Sequence, residues 1–491
     1  MASVAELDRK AKEALGTLPE NLGVKERMAI GHQEMPSQDA KARRGNMEEV
    51  ALGYTEDMAV LEAMRCLGCK NRPCVEGCPV SIDIPRFIAR IQERDYRGAL
   101  SVIQEESILP SICGRVCPQE SQCQKHCTVG KALKDVDKAV GIGRLERFVA
   151  DWCSEDESVP EVKGATGRKV AVVGSGPASI ACAADVRREG HEVVMYEALH
   201  KSGGVLSYGI PEFRLPKRLV DREISRLEKM GVRMERNVLV GRTRTIAELR
   251  EEDGFDAVFI GTGAGLPKFM GIAGENLVGV LSANEYLTRS NLMKAYDRER
   301  SHTPEYEGRR VAVLGGGNVA MDAARTALRL GAESVDIIYR RTRTEMPARK
   351  EEIEHAVEEG CVIRMLSQPV EILGDERGKV RALVIRRCEL GEPDGSGRRS
   401  PVEIPGSDEE VPYDEVIVAI GNASNPLIKM TTPEIEVNRR GNFIVDEETM
   451  RTSMEGVYAG GDIVLGAATV ILAMGQGRKA AKAINEYLKN K

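Results

Sequence analysis

Eight cysteines between Cys66 and Cys127 carry the first chemistry this sequence offers, because their spacing suits thiolate ligation of iron. The first set reads Cys66-Leu-Gly-Cys69-Lys-Asn-Arg-Pro-Cys74-Val-Glu-Gly-Cys78-Pro79. The second reads Cys113-Gly-Arg-Val-Cys117-Pro-Gln-Glu-Ser-Gln-Cys123-Gln-Lys-His-Cys127. A cubane cluster needs four thiolates, or three and one hard ligand, converging on a small volume, and close spacing lowers the entropy lost in gathering them. Where one chain holds two clusters, the cysteine before proline serves the other cluster, so Cys78 is expected to join the site built mainly by the second set. Structural zinc is the competing reading. Zinc sites favour gaps of two to four residues and often recruit histidine, whereas these gaps run two, four and three, then three, five and three, with only His126 nearby. A disulfide framework is less favoured still, since nothing in the sequence signals export and cytosolic thiols are kept reduced.

The elements that must position such clusters belong to a large α/β chain. Its 491 residues suffice for about three domains at roughly 100–200 residues each. Lysine and arginine number 70 against 76 acids, giving a net charge of −6. No field of one sign favours nucleic acid or an anionic membrane, so partners are expected to be proteins and small molecules. The first residues lack the apolar core of a signal peptide, and no stretch approaches the ~18 apolar residues of a membrane span. The expected location is the cytoplasm.

A repeat supplies the second clue. Lys169-Val-Ala-Val-Val-Gly-Ser-Gly-Pro-Ala-Ser-Ile-Ala returns as Arg310-Val-Ala-Val-Leu-Gly-Gly-Gly-Asn-Val-Ala-Met-Asp, each followed by an alanine-rich helix and a second apolar run, Val193 to Tyr196 or Val335 to Tyr339. This is the dinucleotide-binding βαβ pattern, in which close glycines let the backbone approach a pyrophosphate seated at the start of the helix. Gly174, Gly176, Pro177 and Ala178 are the candidates in the first copy, and Gly315, Gly317, Asn318 and Val319 in the second. Ser179 departs from the usual glycine or alanine, a small change that the packing is expected to tolerate. Aligning the copies places Glu197 opposite Arg340. A carboxylate there accepts from ribose hydroxyls, as in the adenosine half of FAD, and repels a 2′-phosphate. Arg340 and Arg341 would attract one, so the second copy is expected to prefer NADP(H).

Near the C-terminus, Gly456-Val-Tyr-Ala-Gly-Gly-Asp462 precedes Gly466-Ala-Ala-Thr-Val-Ile-Leu-Ala-Met-Gly-Gln-Gly-Arg478. This resembles the second flavin motif of two-dinucleotide-domain flavoproteins. With Gly203-Gly204-Val205, Gly209-Ile-Pro-Glu-Phe-Arg-Leu-Pro-Lys217 and Tyr339-Arg-Arg-Thr-Arg, the chain from about residue 45 to its end resembles the glutamate synthase small (beta) subunit family. That family includes the large subunit of NADH-dependent ferredoxin:NADP oxidoreductase and the N-terminal part of dihydropyrimidine dehydrogenase.

The resemblance implies an α/β fold: a mainly helical N-terminal double 4Fe-4S domain, then two Rossmann-like dinucleotide-binding domains, the FAD domain being split by the inserted NADP domain. Expected boundaries are an arm at 1–45, the iron–sulfur domain at 46–159, a first FAD-binding segment at 160–295, the NADP(H) domain at 296–424 and a second FAD-binding segment at 425–491. It implies that FAD is met by Gly203, Gly204, Val205, Gly461, Asp462 and Thr469 besides the first glycine turn and Glu197. It also implies that Cys66, Cys69, Cys74 and Cys127 hold one cluster, while Cys78, Cys117, Cys123 and Glu146 hold the other. Cys113 is then left as a packed thiol.

These components make a converter between two-electron and one-electron chemistry, with the flavin expected between nicotinamide and the nearer cluster and no side chain acting beyond the cofactors. The expected enzyme is an NADP(H)-dependent iron–sulfur flavoprotein subunit serving a partner redox chain. The stretch Arg43-Arg-Gly-Asn-Met-Glu-Glu-Val-Ala-Leu-Gly-Tyr54 resembles the electron-bifurcating transhydrogenases, whose partner would be a small flavoprotein with a ferredoxin-like cluster. The alternative is the small subunit of an NADPH-dependent glutamate synthase, serving a separate large chain. A thioredoxin-reductase-like disulfide reductase is disfavoured because Cys361 and Cys388 do not form a closely spaced pair, and a zinc-stabilised assembly protein remains the non-redox reading. Helices are expected from Ser81, as a capping serine, and from Asp135 to Trp152. Residues 1–45 are expected as an extended arm around a partner, and Gly391 to Glu410 as a surface hairpin or loop with Arg398 and Arg399 solvated.

Overall fold

Two parallel sheets, each built on one copy of the repeat, organise the chain in this computed structural model, which describes residues 3–19, 21–154, 159–306, 308–395 and 397–491. The first unit contains β1 (Lys169–Val173), β2 (Glu192–Glu197), β3 (Arg233–Arg236) and β4 (Ala257–Ile260). The chain then crosses by β5 (Leu266–Pro267) into a second unit with β6 (Val280–Ser282), β7 (Arg310–Leu314), β8 (Ser334–Ile338) and β9 (Val362–Arg364). After β10 (Ser367–Gly374), β11 (Val380–Pro393), β12 (Arg399–Glu403) and β13 (Glu409–Pro412), it re-enters the second sheet as β14 (Glu415–Val418). It returns by β15 (Asn422–Ala423) and completes the first sheet with β16 (Val457–Ala459).

The first sheet runs β16-β4-β1-β2-β3 and the second β6-β14-β7-β8-β9, with every neighbouring pair parallel. Val170 to Val173 and Val311 to Leu314 are buried throughout, because crossover helices cover both faces of a parallel sheet and leave no side for water. The two crossings pair with each other, β5 antiparallel to β15. The expected FAD/NADP division at residue 296 needs correction: β6 already pairs with β14, and Ala283 and Tyr286 pack in the second core. Their burial, rather than the position of the glycine turn, decides where the second unit starts. Among the described residues, no helix is long and apolar enough to cross a membrane.

Helices Glu56–Met64, Ile84–Gln92, Tyr96–Gln104, Pro110–Val116 and Ile142–Trp152 build the cysteine-bearing unit. Three expectations there change. Residues of the expected arm fold back on their own chain: Val4–Thr17 is a helix whose Leu7, Ala11, Ala14 and Leu15 pack on this unit, an apolar stripe at helical spacing. Ser81 is no cap; it adopts φ +58 in the turn after Pro79, and the helix starts at Ile84. The run from Asp135 breaks into a short turn, Val136–Lys138, before the helix Ile142–Trp152, since Gly141 turns its N–H onto Glu62 at 2.7 Å. The expected hairpin near Gly391 is β11 folded on β12.

Buried charge joins the units. Glu359 accepts from Arg43 at 2.8 Å, from Arg325 at 2.9 Å and from Arg329 at 2.6 Å. Arg214, from the first nucleotide unit, pairs with Asp322 at 2.7 Å and Glu352 at 3.1 Å in the second. Hydrogen bonds from these arginines hold the Glu359 carboxyl down to about 2 despite its burial. Because its folded value lies below the ordinary 4.5, the stabilisation it gives is complete above that value and is lost as pH falls towards 2. Glu359→Gln should therefore destabilise the protein at neutral pH by roughly 3–5 kcal/mol and flatten the acid limb of its stability. Unfolding midpoints measured between pH 7 and pH 3 check both effects.

Candidate redox site

The structure gathers the eight expected iron ligands into two neighbourhoods. Cys66, Cys69, Cys74 and Cys127 line one small cavity closed by Pro73, Ile84 and Ile88. Burial pushes the Cys66 thiol up to about 11 and Cys74 to about 12, and the neighbouring sulfurs add to both. Cys78, from the first sequence run, faces Glu146 and Cys117 instead, and burial raises it to about 11. A hydrogen bond with Cys113, followed by burial, holds Cys117 well above the ordinary thiol range. Cys123 is raised by burial beside Cys78, Cys117 and Glu146. The two runs thus exchange one cysteine each, and Cys113 is left fully buried against Cys117.

Glu146 is the strongest sign that the second neighbourhood expects a cation. Its side chain sits on the helix Ile142–Trp152 at 7% exposure, its Oε1 has no hydrogen-bond partner, and burial alone raises its carboxyl to about 8. A buried unpaired carboxylate is costly; iron beside it would satisfy that oxygen. The raised thiols fit the same account, since burial without metal favours neutral sulfur and coordination deprotonates a thiol outright. Among the described residues, no three His, Cys, Asp or Glu converge closely enough for a single ion.

The first glycine turn has the form a pyrophosphate needs. Gly174 takes φ +95 and lies so close to Gly261 that a Cβ would stand 2.5 Å from its carbonyl oxygen, while Gly176 faces open space and caps the helix Pro177–Arg188. Pro177 opens that helix, and Ala178 packs beneath Gly461 and Gly477 of the C-terminal segment. Glu197, at the end of β2, accepts from Ser175 Oγ and from the Leu199 N–H at 2.9 Å. Ser175 Oγ in turn accepts from the Gly203 N–H at 2.9 Å, which fixes the turn Gly203-Gly204 leading into Val205. Asp462 follows β16 with its carboxyl raised by burial to about 6, and Thr469 caps the helix Val470–Lys489. Sequence reasoning missed Ser175 and Gln476, whose Oε1 accepts from the Gly461 N–H at 2.8 Å; no local pattern marks either.

In the second turn Gly315 takes φ +144, where a Cβ would stand 2.3 Å from the Ala419 oxygen. Gly317 caps the helix Asn318–Arg329, whose Val319 is exposed. Arg340 lies exposed two residues past the end of β8. Arg341 does not stand beside it as a second free cation: it is 6% exposed, pairs with Asp394 at 2.5 Å and donates to the Arg399 oxygen at 2.7 Å. These partners hold it against the β11–β12 hairpin. Arg399, expected in solvent, donates to the Leu390 and Gly391 oxygens of the same hairpin.

The second neighbourhood also abuts the first nucleotide unit. Cys113 and Cys117 belong to that unit's core, and Val80, two residues after Cys78, reaches to 2.9 Å from where a Cβ on Gly475 would be. Cys66 and Cys74 pack in the outer helical core and are partly exposed.

Comparison with known proteins agrees with this division. Residues 43–158 match the family model described as dihydropyrimidine dehydrogenase domain II, 4Fe-4S cluster. Residues 168–481 match the pyridine nucleotide-disulphide oxidoreductase model. The NADP(+)-dependent formate dehydrogenase subunit beta of Moorella thermoacetica is 39% identical over 85% of this chain, which spans 60% of that subunit's length. The glutamate synthase [NADPH] small chain of Halomonas elongata is 37% identical over 94% of this chain and 97% of its own. The solved structure of Mycobacterium tuberculosis FprA in complex with NADPH superposes with a TM-score of 0.55 at 23% identity, covering 66% of this chain and 85% of that one, a likeness of fold.

Ser179 and Gly261 test how the first turn is packed. Ser179 is fully buried, and a Cβ on Gly261 would stand 2.3 Å from its Oγ and 2.9 Å from the Phe259 ring. Gly261→Ala should cost about 1–3 kcal/mol and release FAD, while adding Ser179→Ala, which removes the opposing oxygen, should recover most of both. Thermal midpoints and flavin retained per chain read the two variants.

Proposed function

The chain belongs to the glutamate synthase small-subunit-like family, and from that premise we propose that it carries electrons between NADP(H) and a partner subunit, through FAD and then the Glu146 and Cys66 sites in turn. Membership makes it an FAD- and NADP(H)-dependent iron–sulfur oxidoreductase. The order of sites is supported by one observation above the others: Cys117 of the Cys78–Cys117–Cys123–Glu146 group belongs to the core of the first nucleotide unit, while no cysteine of the Cys66 group does, and Cys66, Cys69 and Cys74 are partly exposed in the helical unit.

Bound FAD supplies the exchange between two-electron and one-electron chemistry that nicotinamide and a cubane cluster do not share. The protein's residues supply the rest. Gly174, Gly176 and the helix start at Pro177 hold a pyrophosphate, and Glu197 accepts from ribose hydroxyls. Gly461, Asp462 and Thr469, with the dipole of helix Val470–Lys489, would hold the flavin's polar side. Gly315, Gly317, Asn318 and Val319 seat the second dinucleotide, with Arg340 meeting the 2′-phosphate. Cys66, Cys69, Cys74 and Cys127 hold the outer cluster, and Cys78, Cys117, Cys123 and Glu146 the inner one.

Which partner receives the electrons separates two readings. The bifurcating transhydrogenase reading rests on Arg43 to Tyr54. In the structure that stretch joins units of this chain: Arg43 binds Glu358 and Glu359, Glu49 binds Arg115, and the Val50 N–H donates to the Phe213 oxygen at 2.9 Å. The glutamate synthase reading is supported by the near full-length match to a small chain of that enzyme. Purifying the native complex decides: a large glutamate synthase chain supports the latter, and a small flavoprotein with a ferredoxin-like cluster the former.

Arg340→Ala should raise the KM for NADPH about tenfold, the size of one charge-assisted contact, and leave that for NADH within about twofold. Equal effects on both would remove the 2′-phosphate assignment. Glu146→Ala should alter the electron paramagnetic resonance of one cluster and spare both the other cluster and the FAD content; unchanged spectra would strip Glu146 of its role.

A further inference from the structure

Arg349 touches both the second glycine turn and the inner cysteine loop. Its own backbone N–H donates to Asn318 Oδ1 at 2.9 Å, and the N–H of Ala348 before it donates to the Gly316 oxygen at 3.2 Å. Residues 347–349 therefore strap the turn at the start of helix Asn318–Arg329. From the end of this strap the Arg349 guanidinium, 8% exposed, crosses into the cysteine-bearing unit. It donates to the Arg115 oxygen at 3.0 Å and to Gln119 Oε1 at 3.2 Å, and meets Glu120 at 3.5 Å and Glu351 at 3.2 Å. These contacts, at Arg115 and Gln119, flank Cys117 in the chain. Gln119 continues the line: its amide nitrogen lies 2.1 Å from where a Cβ on Gly143 would be, one turn before Glu146.

We propose that Arg349 is a positioning residue that raises the reduction potential of the Cys117–Glu146 cluster and couples it to nucleotide occupancy at Asn318. The inference rests on the readings of Gly315 to Val319 as a nucleotide seat and of Cys78, Cys117, Cys123 and Glu146 as a cluster site. Reduction of a cluster bound there would add one electron, drawn from NADPH, and leave it one charge more negative. No bond forms or breaks and no proton moves at Arg349. A fixed cation beside that site favours the reduced form. A nucleotide that holds Asn318 holds the strap, and the strap holds the guanidinium in place. By linkage, reduction must then tighten NADP⁺ binding by the factor through which NADP⁺ favours reduction.

The test uses full-length holoprotein. Midpoint potentials of both clusters are read by electron paramagnetic resonance titration with and without NADP⁺, and the Kd of NADP⁺ is measured for the oxidised and the reduced protein. The native protein should bind NADP⁺ about fivefold more tightly when reduced, the low end of ordinary coupling energies. Arg349→Gln should lower the midpoint of one cluster only and bring the two Kd values within twofold of each other. Arg349→Lys, which keeps the charge, should restore the midpoint, a rescue that a merely structural role would not give. Asn318→Ala should weaken NADP⁺ overall and erase the difference between the two Kd values; it also serves if Arg349→Gln assembles poorly. Unaltered midpoints in Arg349→Gln, equal shifts in both clusters, or a difference in Kd that survives both Arg349→Gln and Asn318→Ala would overturn the proposal. If the native protein binds NADP⁺ with both clusters intact and only these results fail, the coupling is wrong and the site assignments stand. Absence of a preference for NADPH over NADH in the native protein, or of one cluster, would instead strike the assignments.

Discussion

Three guanidiniums from two distant stretches of chain converge on the carboxylate of Glu359, and the placement of everything else follows from that joint. Arg325 and Arg329 come from the helix behind the second glycine turn, and Arg43 comes from the segment ahead of the cysteines. The face of Phe213 closes the group from the first nucleotide unit, with Arg329 at 3.9 Å and Arg325 at 4.7 Å from its centroid. Buried charges repay their desolvation only when geometry and partners are complete. Such a joint is formed in one arrangement or not at all, and it fixes the separations between sites that must pass electrons.

The cysteine-bearing unit illustrates the opposite use of burial. At the joint every charge is matched. Around Cys78, Cys117, Cys123 and Glu146 the protein collects acidic groups, buries them and leaves one carboxylate oxygen without a donor. Burial raises the cost of ionising each group, and a bound cation would offset it. The environment that makes these groups poor acids in the bare protein would make them ligands for iron bound there.

The two nucleotide units show how one motif acquires two preferences. Four strands of each sheet follow the same order, β4-β1-β2-β3 and β14-β7-β8-β9, and each glycine turn presses on the residue after the strand beside it, Gly174 on Gly261 and Gly315 on Ala419. The difference lies at the tip of the second strand. Glu197 there is wired by Ser175 into the Gly203 turn, while Arg340 stands in solvent. A carboxylate held by its own loops presents its remaining lone pairs to hydroxyls; a free guanidinium is left for phosphate.

Local pattern in the sequence determined both βαβ units, the flavin helix after Asp462 and the cysteine spacing, because each depends on periodicity, glycine geometry or loop closure within a few dozen residues. The exchange of Cys78 and Cys127 between runs, and the candidacy of Glu146, came from motif knowledge that local spacing alone does not contain. Only the tertiary structure decided the rest. Arg341 left the nucleotide side for Asp394, the expected N-terminal arm became a helix against its own chain, β6 moved the domain boundary, and Arg349 joined a glycine turn to a cysteine loop 229–234 residues earlier in sequence. These outcomes depend on which buried charge finds which partner across the fold. That choice is settled by desolvation and packing between units, and no window of sequence records it.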